Sequence, residues 1–71
     1  AVMESTYKIV ELVGSSPESW EKAAQVALAE ARQSLRDLRI AEVDALDIHM
    51  DENGDIASYR TKLKVSFKYQ G

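Results

Sequence analysis

The sequence ASYRTKLKVSFKY at residues 57–69 alternates apolar or small side chains with polar and charged ones without a break. Odd-numbered residues such as Tyr59 and Leu63 therefore share one face of an extended chain, and even-numbered residues such as Arg60 and Lys64 share the other. Thirteen residues at about 3.3 Å each span roughly 40 Å, whereas a usual strand has about five or six residues. We therefore predict a strand that extends past the core of its own chain.

Length and composition indicate how such a strand is used. The chain has 71 residues and no cysteine, so neither a disulfide nor a thiolate metal site stabilises it. We treat residues 1–71 as one domain. A single core in a chain of fewer than about 80 residues supplies only about 3–5 kcal/mol of stability, and oligomerisation is a common way to add to it. We therefore predict an obligate homo-oligomer.

Charge, hydropathy and motif content argue against several classes of function. A formal net charge of −3 gives no reason to expect binding to nucleic acid or to an anionic membrane. No apolar run approaches the roughly 20 residues that span a bilayer. The sequence contains no glycine-rich phosphate loop and no Gly-x-Ser-x-Gly motif, and its one histidine, His49, has no evident nucleophile as partner. We predict a cytoplasmic protein that is not an enzyme.

The first half of the chain predicts a strand followed by a long helix. Residues 6–13 are rich in β-favouring side chains on both faces, and we expect Gly14 to break this strand. Ser16 suits a helix N-cap, with Pro17 at the first helical position. The helix is predicted to run from there to about Asp37, with central alanines that let it lie close against a curved sheet. Its apolar stripe consists of Trp20, Ala23, Ala24, Ala27, Leu28, Ala31, Leu35 and Leu38.

The second half predicts a β-hairpin. A strand at residues 40–50 precedes the turn DENGD at residues 51–55. Its Asn-Gly pair is the strongest short hairpin signal, because a type I′ turn needs positive φ at both central residues. A two-residue loop places Asp47 opposite Arg60, an oppositely charged pair that supports this register, although a bulge would shift it by one residue. The same register pairs Met50 with Ala57, His49 with Ser58, Ile48 with Tyr59, Leu46 with Thr61 and Ile40 with Phe67.

The predicted fold is therefore α+β, in the order β-α-β-β, with a three-stranded antiparallel sheet wrapped around one long helix. This order resembles the dodecin family over nearly the whole chain. The matching segments are YKIVELVGSS at residues 7–16, the alanine-rich helix, AEV at 41–43, YR at 59–60 and KVSFK at 64–68. The resemblance implies a hollow homododecamer that stores a flavin, riboflavin or FMN, where its subunits meet, and that has no catalytic activity.

Two positions depart from the flavin-binding pattern that the resemblance implies. The family's stacking tryptophan and its hydrogen-bonding glutamine correspond here to Ile40 and Arg60. Isoleucine has no π face, and arginine donates hydrogen bonds but cannot accept them. We take Ile40, Arg60, Asp47 and Lys68 as the candidate flavin-binding residues. The basic face of the last strand is usually a solvated surface, but it can also neutralise a phosphorylated ligand such as a flavin nucleotide or coenzyme A.

The same two replacements, with the Ser-Pro pair and the tryptophan of the helix, resemble the calcium dodecin branch, which implies a cation as ligand. Glu42, Asp44 and Asp47 are the candidate metal ligands, and carboxylate oxygens favour calcium or magnesium. In the predicted register Glu42 and Asp44 lie on the apolar face, where an unpaired carboxylate is costly. Each is therefore expected to meet a cation, a basic side chain or a neighbouring subunit. The DENGD segment begins like a calcium loop but lacks the glycine and glutamate that should follow, so we interpret it as a turn.

Overall fold

A computed structural model of the chain describes residues 4–69. Strand β1 is Tyr7–Ser16, helix α1 is Trp20–Ser34, strand β2 is Leu38–Met50 and strand β3 is Ile56–Lys68. The strands form one antiparallel sheet in the order β1-β3-β2. The predicted β-α-β-β fold is confirmed, and the long alternating strand is the central one. Within the described part of the chain, no helix is long and apolar enough to cross a membrane.

The core lies between α1 and the odd-numbered face of β3. Leu63 and Val65 are each 1% exposed. Thr61 is also buried, and its hydroxyl donates a hydrogen bond to the carbonyl oxygen of Trp20 at 2.8 Å. The buried side chains of α1 are Ala23, Ala27 and Ala31. The predicted close packing of an alanine stripe against the sheet is therefore confirmed.

Gly14 lies within β1, contrary to the prediction that it breaks the strand. β1 continues to Ser16, and Gly14 pairs with Thr61 of β3. A Cβ atom at Gly14 would overlap the carbonyl oxygen of Ala23 and stand 2.9 Å from the Cβ of Ala27. Glycine is needed here because α1 crosses β1 too closely for any side chain.

Helix α1 begins at Trp20 and not at Pro17 as predicted. Ser19 is the N-cap, and its hydroxyl oxygen accepts a backbone N–H of the first turn at 3.0 Å. Ser16, the predicted cap, is the buried last residue of β1. Its hydroxyl oxygen accepts the N–H of Glu18 at 3.0 Å, so it stabilises the turn between strand and helix.

The other end of α1 also differs from the prediction. The helix ends at Ser34 and not near Asp37, and the capping residue Leu35 already has an extended backbone. Asp37 has a φ of 56°, a left-handed conformation that does not continue a right-handed helix. Leu38, which was predicted to extend the apolar stripe, is instead the first residue of β2.

The hairpin turn is a three-residue loop and not the predicted type I′ pair. The N–H of Asp51 bonds the carbonyl oxygen of Asp55 at 2.9 Å, and the N–H of Gly54 bonds that of Asp51 at 3.1 Å. Within this fully described loop, positive φ occurs at Gly54 alone, at 84°. The Asp51 carboxylate accepts the N–H groups of Asn53 and Asp55 at 2.9 and 3.0 Å. The segment is therefore a type I turn followed by a left-handed glycine, which confirms the turn interpretation.

The middle of the predicted β2–β3 register is confirmed. Asp47 lies opposite Arg60, and the partners predicted for Leu46, Ile48 and His49 are also correct. A register shift beyond His49 places Met50 opposite Ile56, so the predicted pairing of Met50 with Ala57 is wrong. The three-residue loop begins one residue earlier than a two-residue loop, and this shift restores the predicted register from His49 to Ala45.

A second register shift, at Asp44, changes the faces of the first half of β2. Ile40 lies opposite Ser66 and not opposite Phe67 as predicted. Because side chains alternate along a strand, a one-residue shift moves each of them to the other face. Glu42 and Ile40 therefore point away from α1, and the prediction that Glu42 and Asp44 lie on the apolar face is wrong.

The chain is elongated and exposes much of its apolar surface. Its Cα radius of gyration is 14.9 Å, whereas a compact domain of this length has about 11 Å. Its accessible surface is 5526 Å², compared with about 4,400 Å² for a folded monomer of this mass. This single chain therefore leaves more surface uncovered than an ordinary small domain.

Candidate functional site

The predicted site residues lie on the sheet face that points away from α1, which we call the outer face. It carries the even-numbered residues of β3 and their partners on β1 and β2. Each of these β3 residues lies between a partner on β2 and a partner on β1, and we call such a set a row. From Arg60 onward, written in the order β2–β3–β1, the rows are Asp47–Arg60–Ser15, Ala45–Lys62–Val13, Glu42–Lys64–Glu11 and Ile40–Ser66–Ile9, followed by the β3–β1 pair Lys68–Tyr7. The outer face is thus charged at the hairpin end and in the middle, and largely apolar toward the other end.

The charged end is organised by a bidentate ion pair. Arg60 donates from Nε to Oδ1 of Asp47 at 2.6 Å and from Nη2 to Oδ2 at 2.8 Å. These hydrogen bonds lower the pKa of the Asp47 carboxyl and raise the pKa of the Arg60 guanidinium. On the opposite side of the sheet, the indole N–H of Trp20 donates to the carbonyl oxygen of Asp47 at 3.1 Å. Both carboxylate oxygens of Asp47 thus already accept a hydrogen bond from Arg60.

The middle of the outer face holds a looser set of ion pairs. Asp44, at the register shift, lies 4.0 Å from Nζ of Lys62 and 3.8 Å from Nζ of Lys64. Lys62 also lies 3.9 Å from Glu11 on β1. These contacts are long and partly exposed, so each contributes little to stability. They explain why Asp44 is tolerated in the strand: its carboxylate lies between two ammonium groups and not against the helix.

The apolar end surrounds Ile40. The side chains of Ile40 and Ile9 are 67% and 64% exposed, and Tyr7 is 50% exposed. Together with Arg39 and Ser66 they line a depression of about 380 Å³. Tyr7 and Ile9 were not among the predicted site residues. The strand order β1-β3-β2 brings them here, and the sequence alone did not reveal that β1 pairs with β3.

One chain does not bring the candidate flavin-binding residues together. Arg60 and Ser66, the partner of Ile40, are six positions apart on β3, which corresponds to about 20 Å along the strand. Lys68 lies beyond that row, near Tyr7. A ligand that touches both Ile40 and Arg60 must therefore obtain one of them from a second chain.

The candidate metal ligands are likewise dispersed. Asp47 is paired with Arg60, and Asp44 lies between two lysines. Glu42 makes no ion pair within residues 4–69 and lies opposite Lys64. The same described range contains no group of three or more His, Asp or Glu side chains that could hold a metal ion. One chain alone therefore does not fit a calcium ion, which takes six to eight oxygen ligands.

Comparison with known proteins places this chain among close relatives. The sequence model of the dodecin family matches residues 6–70. Calcium dodecin of Mycobacterium tuberculosis is 48% identical over 64 residues, which cover 90% of this chain and 89% of that protein. Dodecin of Thermus thermophilus is 43% identical over 68 residues, which cover 96% of this chain and 97% of that protein.

Solved structures agree with the sequence comparisons. Dodecin from Streptomyces coelicolor matches with a TM-score of 0.91 at 30% identity, covering 99% of each chain. The calcium dodecin structure from M. tuberculosis matches with a TM-score of 0.83 at 47% identity, covering 93% of each chain. That protein is described as calcium-chelating, with a novel calcium-binding site. The agreement in sequence, strand order and backbone extends along almost the whole length, and the chain belongs to the dodecin family.

Proposed function

We propose that this protein is a non-enzymatic storage protein that assembles into a hollow homododecamer and holds calcium or another divalent cation. The observation that carries the proposal is the group of carboxylates on the outer face, of which Glu42 makes no ion pair among the described residues, in a chain 48% identical to calcium dodecin and without an aromatic plane at Ile40. Twelve chains of formal charge −3 would carry −36 in total. Such an excess of carboxylates attracts cations into an enclosed space.

Assembly is supported by what the single chain leaves uncovered. Its surface exceeds the expectation for a monomer of its mass by about 1,100 Å², and its core contains only short or medium side chains. Large exposed apolar residues occur on both faces of the sheet. Exposed apolar patches of this kind are typical of subunit contacts.

The cation site that we propose is shared between subunits. Glu42 is the leading ligand because, among the described residues, no basic side chain neutralises it. Asp44 can join it, since its contacts with Lys62 and Lys64 are long. Asp47 is the weakest of the three candidates, because binding a cation would require it to release Arg60. Carboxylates from two or three symmetry-related copies would supply the oxygen ligands that one copy lacks.

Flavin is the second candidate ligand, and the depression around Ile40 supports it. A volume of about 380 Å³ is within the range of small-molecule sites, and its walls include the aromatic ring of Tyr7. Lys68, opposite Tyr7 in the register, could neutralise a flavin phosphate. Arg60 and Asp47 would reach the same ligand only from another subunit. Without a tryptophan at position 40, we expect weak binding that leaves most of the flavin fluorescence unquenched.

The test measures both ligands on the assembled protein. Calorimetry with calcium and with a chelator should show a higher melting temperature in calcium. Glu42→Gln should remove most of that increase, whereas Glu30→Gln, on the exposed side of α1, should retain it. In a riboflavin titration, Ile40→Trp should increase affinity at least several-fold, since a stacked ring contributes about 1–3 kcal/mol.

Two outcomes would contradict the proposal. A melting temperature that calcium leaves unchanged would reject the cation site. Tight, strongly quenched flavin binding by the unmodified protein would make flavin the principal ligand instead.

A further inference from the structure

The loop between β2 and β3 places the only asparagine of the chain, Asn53, directly before Gly54. Both residues are exposed, and a Cβ atom built at Gly54 has no heavy atom within 4 Å apart from its chain neighbours. The side-chain amide carbon of Asn53 and the backbone nitrogen of Gly54 can therefore meet without obstruction. These two groups react with each other when an asparagine loses its side-chain amide, and a following glycine hinders them least because it has no Cβ and a freely turning backbone.

The reaction exchanges one bond of the side-chain carbonyl carbon for another. The Gly54 nitrogen loses its proton to the solvent and attacks Cγ of Asn53, which closes a succinimide ring while the C–N bond of the side-chain amide breaks. The amide nitrogen takes up a proton and leaves as ammonia. Water then opens the ring at either carbonyl and gives aspartate or isoaspartate at position 53. Either product adds one negative charge to the formal −3 of the chain, and isoaspartate also inserts Cβ into the backbone of the loop.

Asp51 holds the attacking nitrogen in a closed loop. Its carbonyl oxygen accepts the N–H of Gly54 at 3.1 Å, and its carboxylate accepts the N–H groups of Asn53 and Asp55 at 2.9 and 3.0 Å. These are the distances of ordinary hydrogen bonds. Because the Gly54 nitrogen must give up its proton before it attacks, the bond to Asp51 has to open first. Exposed loops open locally at a small cost in free energy, without unfolding of the whole protein.

We propose that Asn53 is a site of spontaneous deamidation, and that Asp51 controls its rate by keeping the loop closed. The reacting form is the locally opened loop, so the folded protein reacts more slowly than the same residues in an unstructured peptide. The inference uses the loop alone and does not depend on the proposed assembly or on the proposed ligand. Its consequence is a protein that gains negative charge at one defined position as it ages.

The experiment follows the purified protein by peptide mapping and mass spectrometry during incubation at neutral and at mildly alkaline pH. Chromatography separates the peptides that carry asparagine, aspartate and isoaspartate at position 53. The peptide DENGD, residues 51–55 with blocked ends, is incubated in parallel. We expect the folded protein to convert more slowly than the peptide, and both to convert faster at the higher pH because the nitrogen must lose its proton. Hydrogen exchange at the Gly54 amide should likewise be slower in the protein than in the peptide.

Three variants test the role of Asp51 and the route of the reaction. Asp51→Ala should accelerate conversion roughly five- to thirtyfold, because two hydrogen bonds that favour the closed loop are lost. Asp51→Asn removes the same charge but keeps an acceptor oxygen, so its rate should stay close to that of the wild type. Ser19→Ala lowers the stability of the whole protein without touching the loop, and it should leave the rate unchanged because the reaction proceeds by local opening.

Each part of the inference can be overturned separately. If neither the folded wild type nor Asp51→Ala converts while the peptide does, Asn53 is not a reactive site. If Asp51→Ala converts at the wild-type rate, or Asp51→Asn is accelerated equally, the hydrogen bonds of Asp51 do not control the reaction. Acceleration by Ser19→Ala would assign the reaction to globally unfolded molecules. Far-UV circular dichroism checks the folding of Asp51→Ala; if folding is lost, Gly54 hydrogen exchange in the wild type decides, and exchange as fast as in the peptide contradicts a closed loop.

Discussion

Helix α1 packs against the backbone of β1 at Gly14, and replacing this glycine with alanine tests the packing directly. The new Cβ would overlap the carbonyl oxygen of Ala23, and it would stand 2.9 Å from both the carbonyl carbon of Ala23 and the Cβ of Ala27. Two of these three atoms belong to the helix backbone, so no side-chain rotation relieves the clash. Helix α1 must move away from β1, which opens the small core above Leu63 and Val65.

Gly14 does not have a positive φ; among the described glycines, only Gly54 does. Alanine at position 14 therefore causes no backbone strain of its own, and the cost of the substitution can be estimated from packing alone. Overpacking a well-packed core costs about 1–3 kcal/mol, and a backbone clash belongs at the upper end of that range. Alanine recovers about 0.5–1 kcal/mol because it loses less conformational entropy than glycine in a strand. The net loss should be about 2 kcal/mol, or a decrease in melting temperature of about 8–16 °C.

Urea unfolding followed by circular dichroism, at one fixed protein concentration because assembly contributes to stability, measures this loss. Gly54→Ala is the control: it has open space around the Cβ but a φ of 84°, so it should cost about 1 kcal/mol through backbone strain alone. Adding Ala27→Gly to Gly14→Ala should not restore stability, because the Ala23 carbonyl remains in the way. If Gly14→Ala lost no more than Gly54→Ala, the close helix–sheet contact would be refuted.

Two further predictions concern the ends of α1 and the outer face. Ser19→Ala should lower the free energy of unfolding by about 1 kcal/mol, because it removes the N-cap hydrogen bond. The control Ser15→Ala, on the outer face, should change it by less than about 0.5 kcal/mol. Equal losses of the two variants in urea unfolding would contradict the role of Ser19 as the cap. Folding lowers the pKa of Asp47 from its ordinary 3.8, so the Asp47–Arg60 pair stabilises the protein above that value and ceases to do so as the pH falls through the lowered pKa. The difference in melting temperature between wild type and Asp47→Asn should therefore be constant from about pH 7 to pH 5 and shrink below about pH 4, and a difference that persists in strong acid would disprove the linkage.

The fold was predictable because its two main signals are regular. Alternation over residues 57–69 describes a strand with one buried face, and Leu63 and Val65 are indeed buried on that face. The alanine stripe describes a helix that lies close to a sheet. Both patterns repeat over many residues, so an error of one residue at either end does not alter the conclusion.

The helix start was not predictable, because two serines satisfy the same local rule. Ser16 precedes a proline, and Ser19 precedes the first apolar residue of the stripe; each is a suitable N-cap on local grounds. Pairing with β3 decides between them. β1 extends far enough for Ser16 to pair with Tyr59, which leaves Ser19 as the cap. A single sequence does not reveal the length of that long-range pairing.

The candidate site was only partly predictable, because it depends on one irregular residue. Asp47 and Arg60 meet as predicted although the loop is longer than predicted, because the register shift beyond His49 offsets the extra loop residue. The shift at Asp44 then moves Ile40 and Glu42 to the outer face. The apolar positions of β2 do change from odd-numbered, as at Val43, to even-numbered, as at Leu46. This change of phase is a signal for a shift, but it does not say which of the residues between them carries it.

The shift at Asp44 also connects the two faces of the sheet. By moving Glu42 and Ile40 outward, it places Val43 on the helix side, opposite Leu63, where it lines a hollow of about 250 Å³ between α1 and β2. A regular strand would have left Val43 on the outer face and placed a carboxylate on the helix side, where burying it without a partner would be costly. The same backbone irregularity thus keeps carboxylates on the outer face and apolar side chains on the helix side. Because neither candidate ligand finds a complete set of partners within one chain, ligand binding and assembly should be coupled.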